Sequence, residues 1–389
     1  NLLSGESVID FVGMEEGGLL FTTVDGELHV RTVTESSSGA WSTLADVKLA
    51  DSWAGELTAI LRDDGLVHAA WTENILSDQG YFLSHVAMTS ITNAGETTEK
   101  QTHMPALKLS EGRYWGLDMA KKGDRVVLAG YYRDIATGGS YNDITSIFVL
   151  MSDTAHIESS WSSSNILSNI DIKPSQGDKL AIGLGEENMH ILYQEIRDDV
   201  TGIDRVGLMY AHGQEWNPSW TFQYSVGDYA SNAQLEVYQE NDRDVLAATW
   251  VEGFGGESKI AYVVTDNSWS AEEPDYIIAS GITNMVMSSN GEEVSIVYDE
   301  INSYGPMTRY GILDLDNDQF ALSNLIVEGF MTGYATTTSD SIILLSSSSG
   351  TLSFRTIVSL EDERLEAEER SFLDSLLEPL PGDENTKAL

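Results

Sequence analysis

"VHAAWTEN", residues 67–74, alternates apolar side chains and then ends in an aromatic residue followed, two positions on, by a carboxylate. Side chains of a strand alternate between its faces, so Val67, Ala69, Trp71 and Glu73 share one face. The pattern recurs. "LAATWVEG" carries Trp250 and Glu252, "HILYQEI" Tyr193 and Glu195, and "SIVYDEIN" Tyr298 and Glu300. "VLAGYYRD" keeps an aromatic at Tyr131 and sets Arg133 where the others have the acid.

Working outward, Phe21, Trp71, Tyr131, Tyr193, Trp250, Tyr298 and, by position, Leu345 mark one strand in each of seven units, spaced 50, 60, 62, 57, 48 and 47 residues apart. Each unit opens with an alternating strand such as "ELTAILRDDG" or "QLEVYQENDR" that closes in a Gly/Asp/Asn turn. The aromatic-tipped strand, a longer polar loop, a third strand ("KIAYVVTD", "VGLMYAHG") and a weaker fourth follow. Four short strands per unit, repeated with turn signals, predict an all-β chain folded as a β-propeller. A pair of β-sandwiches is the alternative, but it does not require one four-strand grammar seven times. The count is seven four-stranded blades, with six and eight left open. The expected blades are 8–52, 53–109, 110–172, 173–231, 232–280, 281–328 and 329–358. The last unit supplies three strands, and the N-terminal "NLLSG" is expected to supply the fourth and close the ring.

After Ser359 the character changes. Ser359 and Asp362 resemble a capping box, and Leu365, Phe372, Leu373, Leu376 and Leu377 form a partial apolar stripe at helical spacing. An acidic amphipathic helix is expected over 359–378, ended by Pro379 and Pro381, with a flexible tail over 379–389. It either docks on the propeller's flank or serves self-assembly.

The stretches "RDDGLVHAAWTEN" with "YFLSHVAMTS", and "NDRDVLAATWVEGFGGESKIAYVVTDNSWSAEE", resemble the sialidase-like propeller repeats, also called BNR or Asp-box repeats. There an apolar strand ends in Trp-x-Asp/Glu, and the turn after the third strand ends in Trp. The resemblance touches about six units across most of residues 8–358. The Asp box, Ser-x-Asp-x-Gly-x-Thr-Trp in the family, is degenerate here. Trp41 keeps Thr34 but has Ser36 for the Asp and Ser38 for the Gly. Trp216 keeps Gly213, Trp161 keeps Thr154, and Trp269 sits on a shorter turn. A full sialidase resemblance would imply three arginines on a carboxylate, a Tyr nucleophile with a Glu base, and an Asp acid. Of twelve arginines, Arg133 alone stands at a second-strand end, and the family's Phe/Tyr-Arg-Ile-Pro strand is missing. The resemblance therefore carries the fold, and fold does not fix function.

Composition narrows the partners. With 62 acidic and 21 basic side chains the net charge is −41, which repels nucleic acid and anionic lipid. Such a surface suits a marine or halophilic setting, where salt screens its self-repulsion, or a cell surface rich in divalent cations. Cysteine is absent, so disulfides and thiolate sites are excluded. No run is long and apolar enough to span a membrane as a helix. Beginning at Asn1 with no signal-like stretch, the chain reads as a mature or trimmed segment of a secreted or cell-surface protein.

Antiparallel strands place the ends of all second strands on one face of a propeller. Glu73, Arg133, Glu195, Glu252 and Glu300 are therefore expected around one rim. The loops that follow carry Tyr81, Tyr141, Phe254 and Tyr304 beside glycines and acids. Aromatic faces with hydrogen-bonding acids suit a sugar. These nine residues are the candidate ligand-binding set, while the strand aromatics are expected to wedge between blades. "LDLDNDQ" sets Asp314, Asp316 and Asp318 at alternate positions, as calcium loops do, but lacks their Gly and distant Glu. A plain solvated turn competes with calcium there. No catalytic residue and no other cofactor is assigned. The expected function is a non-enzymatic binding propeller for a glycan or a surface protein. The alternatives are a glycoside hydrolase or lyase on the same fold, and a structural subunit of a surface assembly.

Overall fold

The structure is a computed structural model. It describes residues 6–14, 17–36, 41–76, 82–103, 111–135, 144–152, 162–170, 180–186, 188–198, 204–214, 221–228, 230–240, 243–253, 258–266, 274–277, 281–289, 294–302, 305–314, 319–328, 334–337, 341–348 and 351–358. The expected N-terminal closing strand and the expected helix and tail over 359–389 lie outside the described residues.

Every sheet is an antiparallel meander of strands consecutive in the chain. The first holds β1 (Ser7–Met14), β2 (Gly17–Val24), β3 (Glu27–Glu35) and β4 (Trp41–Ala50). The second holds β5 (Trp53–Leu61), β6 (Val67–Leu76), β7 (Phe82–Ile91) and β8 (Gln101–His103). The third holds β9 (Glu111–Lys122), β10 (Arg125–Ile135), β11 (Ile144–Ser152) and β12 (Ser162–Ile170). In the fourth are β13 (Ala181–Leu184), β14 (Asn188–Asp198), β15 (Asp204–Gln214) and β16 (Thr221–Asp228). In the fifth are β17 (Ala230–Glu240), β18 (Arg243–Glu252), β19 (Lys259–Asp266) and β20 (Asp275–Ile277). The sixth comprises β21 (Ile282–Ser289), β22 (Val294–Asn302), β23 (Gly305–Asp314) and β24 (Gln319–Glu328). The last group, β25 (Tyr334–Thr337), β26 (Ser341–Ser348) and β27 (Thr351–Val358), has three strands among the described residues.

The first strands organise the whole. In turn β1, β5, β9, β13, β17, β21 and β25 each touch the next, and β25 touches β1. Sheets standing side by side around such a closed cycle of first strands make a β-propeller. Second-to-third loops and the crossings between sheets leave at one end of the axis, the loop face. Tight first-to-second and third-to-fourth turns leave at the other, the turn face. The Trp53 N–H, at the crossing into β5, accordingly donates to Gly26 O in the β2–β3 loop at 2.9 Å. That loop is a two-residue hairpin with positive φ at both Asp25 (51°) and Gly26 (85°), the combination for which Asp-Gly is favoured.

The core is a series of apolar seams between neighbouring sheets, and the strand aromatics fill them. Trp71 packs with Phe21, Leu28 and Leu57 between the first and second sheets. Tyr193 and Tyr131 meet between the third and fourth, Trp250 packs against Tyr210 and Leu192 between the fourth and fifth, and Tyr298 lies between the fifth and sixth. Phe11 and Leu20 join Ile343 and Leu345 where the last sheet meets the first, and Trp41 stacks on Phe354 there with centroids 4.2 Å apart. Each of these seams buries large side chains almost completely, so the hydrophobic effect holds the sheets on either side together.

One register differs from expectation. Trp71, Tyr193, Trp250 and Tyr298 all face the preceding sheet, but Tyr131 faces the following one. Its neighbour Tyr132 faces back, toward the second sheet, with Tyr114 and Phe148. The counterpart of Trp71 in β10 is therefore Tyr132, and the position two residues on is Asp134, not Arg133. The β9–β10 ladder shifts register between Ala129 and Tyr131, next to this change. Tyr131 instead ties the third sheet to the fourth, its hydroxyl accepting from the Gln194 backbone N–H at 2.8 Å.

Candidate functional site

On the loop face, Glu73 ends the buried face of β6. The Trp71 indole Nε1–H donates to its Oε1 at 2.9 Å. Lys100 donates to the same oxygen at 2.9 Å and to Oε2 at 3.2 Å, and His85 Nε2, opposite Glu73 on β7, lies 3.2 Å from Oε2. Burial alone would raise this carboxyl, but the bonds from His85, Lys100 and Trp71 outweigh it and hold the pKa at about 2. Glu73 is thus a fixed anion whose charge is met inside its own sheet.

Two further rim acids share this plan. Glu252 faces Lys259 directly across β18 and β19, with Lys259 Nζ 3.2 Å from Oε2. The same ammonium sits 3.3 Å from the ring centroid of Tyr276, which is 41% exposed. Glu300, buried at the end of β22, accepts from Arg309 Nε of β23 at 2.9 Å. Beside it Thr308 donates to the buried Asp299 at 2.6 Å. In each case an acid from the second strand meets a base supplied from the third strand or just beyond it. The partly exposed Glu195 stands opposite Gly207, and Arg133 lies between Arg113 and Thr145. The five rim residues come from five sheets, and Arg133 stands one register position off the other four. Tyr81, Tyr141, Phe254 and Tyr304 lie outside the described residues, as do Asp316 and Asp318. Asp314 is the last residue of β23 and pairs with Gln319, the first of β24.

Sequence reasoning did not reach the cavity on the axis. It measures about 1140 Å³ and is walled by first strands from six sheets. Its cations are engaged. Lys121 pairs with Asp63, Arg62 with Asp64 at 2.8 Å, and Lys122 with Asp244 at 3.4 Å. Asp118 accepts from the Ile182 backbone N–H at 2.8 Å, joining β9 to β13. Glu236 of β17 also faces this space. Protein surrounds it on all sides while it keeps partial solvent contact through the cavity. Burial, reinforced by the Asp118 charge and only partly offset by Lys121, pushes its carboxyl up to about 8. A largely protonated acid and a hydrogen-bonded carboxylate therefore share one water-accessible space. The only sequence signal for it was the placement of Asp118 and Glu236 on first strands.

Comparison with known proteins adds little beyond the fold. No family model matches the chain. No curated protein matches it either. Among solved structures, Trypanosoma rangeli sialidase in complex with sialic acid is 12% identical with a TM-score of 0.42, the match covering 96% of this chain and 62% of that one. An α-L-arabinofuranosidase from Fusarium graminearum is 13% identical with a TM-score of 0.47, covering 79% of this chain and 93% of that one. The fucose-recognising lectin of Aleuria aurantia, a six-bladed β-propeller, is 12% identical with a TM-score of 0.44, covering 85% and 99%. The chain spans 62% of the length of the sialidase. It is similar in fold to sialidase-like β-propellers, and likeness at this level bears on nothing finer.

Proposed function

We propose that this chain is a seven-bladed propeller acting as a non-catalytic binding scaffold outside the cell, and that its loop face recognises a glycan. The observation that carries the reading is the pairing of Glu73, Glu252 and Glu300 with Lys100, Lys259 and Arg309. The acids hold Lys100 and Lys259 in place at the rim, and these partly exposed ammonium groups present N–H donors to sugar hydroxyls. Tyr276, exposed next to Lys259, adds an aromatic face to the same rim. A glycosidase acid must carry its proton near neutral pH, and Glu73 at about 2 does not. The surplus of acidic side chains favours a saline or cation-rich setting.

The test is retention of sugars from a mixed glycan pool at high salt, analysed by mass spectrometry. Intact sugars retained by the wild type and lost in a Lys259→Ala/Tyr276→Ala variant are expected. Absence of retention, with working controls, overturns the glycan reading and leaves a protein partner or a structural surface role.

One observation favours a second reading, a glycoside hydrolase. Glu236 and Asp118 combine a raised carboxyl with a charged one in a solvent-reached cavity, the division of roles that acid–base hydrolysis uses. Shortened products that vanish in Glu236→Gln and persist in Glu73→Gln would establish it. Intact sugars throughout would remove it.

A further inference from the structure

The seam between the fourth and fifth sheets holds a pair of histidines at the turn face. His190 on β14 and His212 on β15 are direct cross-strand partners, and their rings stack with centroids 6.1 Å apart and planes within 12° of parallel. Tyr210 extends the stack, its hydroxyl 2.7 Å from His190 Nδ1. Tyr210 also packs with Leu192 and Trp250 in the apolar seam. His190 is fully buried, and His212 is partly exposed.

The closed seam suits neutral imidazoles and not charged ones. An imidazolium carries two N–H donors. For His190 the Tyr210 oxygen can accept from Nδ1, but Nε2 is buried with no hydrogen-bond partner among the described residues. His212 Nδ1 is buried in the same condition. A charged donor buried without an acceptor loses its hydration and gains nothing in return. Protonating both rings would also set two like charges directly opposite each other on paired strands. From this geometry we infer that His190 and His212 form an acid-sensitive latch: they take up protons only when the fourth and fifth sheets part at the turn face and admit water, so mild acid opens this seam.

The charges facing the pair do not relieve this. Asp244 of β18 favours the charged form of His190, but burial and the neighbouring His212 outweigh it and hold the imidazole at about 4. Asp244 is itself engaged by the Glu186 N–H at 2.7 Å and by Lys122 of β9 at 3.4 Å, while Arg125 of β10 donates to the Gly185 and Glu186 carbonyls. On β17, Glu236 faces the axial cavity and Tyr238 packs in the fifth-to-sixth seam. Burial lowers His212 as well and raises Tyr210, which stays neutral. A folded value below the ordinary 6.5 means that the open form binds more protons. The closed seam is therefore favoured at neutral pH and weakens as pH falls from about 6.5 toward about 4.

Amide hydrogen exchange of the full chain at pH 7.5 and pH 5.0, corrected for the intrinsic rate and at high salt, tests the latch. Glu73, at about 2, keeps its charge over this interval. Exchange around His190, His212 and Trp250 should quicken by at least about tenfold at pH 5.0. Amides around Trp71 should not follow, because in that seam His85 Nε2 lies 3.2 Å from the Glu73 carboxylate, which can take up its charge. His190→Gln, whose amide does not titrate, should lose most of the acceleration. In the wild type the His190 imidazole nitrogen shifts of the closed form should remain those of a neutral ring at pH 5.0, a readout that needs no variant to fold. Unchanged exchange in the fourth-to-fifth seam, equal quickening around Trp71, acceleration undiminished in His190→Gln, or a charged His190 in the closed form overturns the inference.

Discussion

The indole Nε1–H of Trp71 donates to the carboxylate of Glu73 at 2.9 Å, across two residues of one strand face. The aromatic fills the seam between sheets, and its single polar atom is satisfied by the acid standing where that seam meets water. Trp-x-Glu in this strand is one unit in which packing and hydrogen bonding are joined.

This unit predicts a pH-dependent stability. Glu73 has a folded pKa of about 2, below its ordinary value, so the unfolded chain binds its proton more readily. Its stabilisation is present at neutral pH and is lost as pH falls from about 5 to about 2. Allowing for solvent screening of a half-buried group, Glu73→Gln should cost about 1–2 kcal/mol at pH 7. Urea unfolding of both proteins across this range checks it, with the difference shrinking toward acid.

Trp250 fills the seam between the fourth and fifth sheets and is fully buried. Trp250→Ala should destabilise by about 3–5 kcal/mol through the cavity it leaves. Chemical denaturation measures this loss, and Trp250→Phe should recover part of it.

Asp244 joins three sheets at the turn face, accepting from the Glu186 N–H and from Lys122. Asp244→Ala leaves a lysine without its carboxylate and a backbone donor unpaired, at a cost of about 3 kcal/mol. Because the loss reaches beyond one sheet, amide exchange should quicken around residues 121–122 and 185–186 together.

A net charge of −41 makes the compact state self-repelling at low ionic strength. Raising sodium chloride from 0.05 to 1 M shortens the screening length from more than ~10 Å to about 3 Å. The urea midpoint should rise over that interval, then flatten. A midpoint independent of salt would mean that the acids are neutralised locally, as Glu73, Glu252 and Glu300 are.

Local pattern determined much of this protein. Period-two alternation, the recurrent aromatic at the strand end and turns such as Asp25-Gly26 specify four-stranded units, because strand face and hairpin geometry depend on residues a few positions apart. The burial of Trp71, Tyr193, Trp250 and Tyr298 between sheets was legible for the same reason. Which of Tyr131 and Tyr132 faces back was not, since a shift in the ladder with β9 accompanies it and the two residues are chemically alike. Nor could the pattern tell that Lys100, 27 residues downstream, would neutralise Glu73. The axial cavity brings Asp118 beside Glu236, and the fourth-to-fifth seam sets Asp244 near His190. These pairs join residues of different sheets, and only closure of the first strands around the axis brings them together. Charge, burial and proton affinity at such sites belong to the assembled ring.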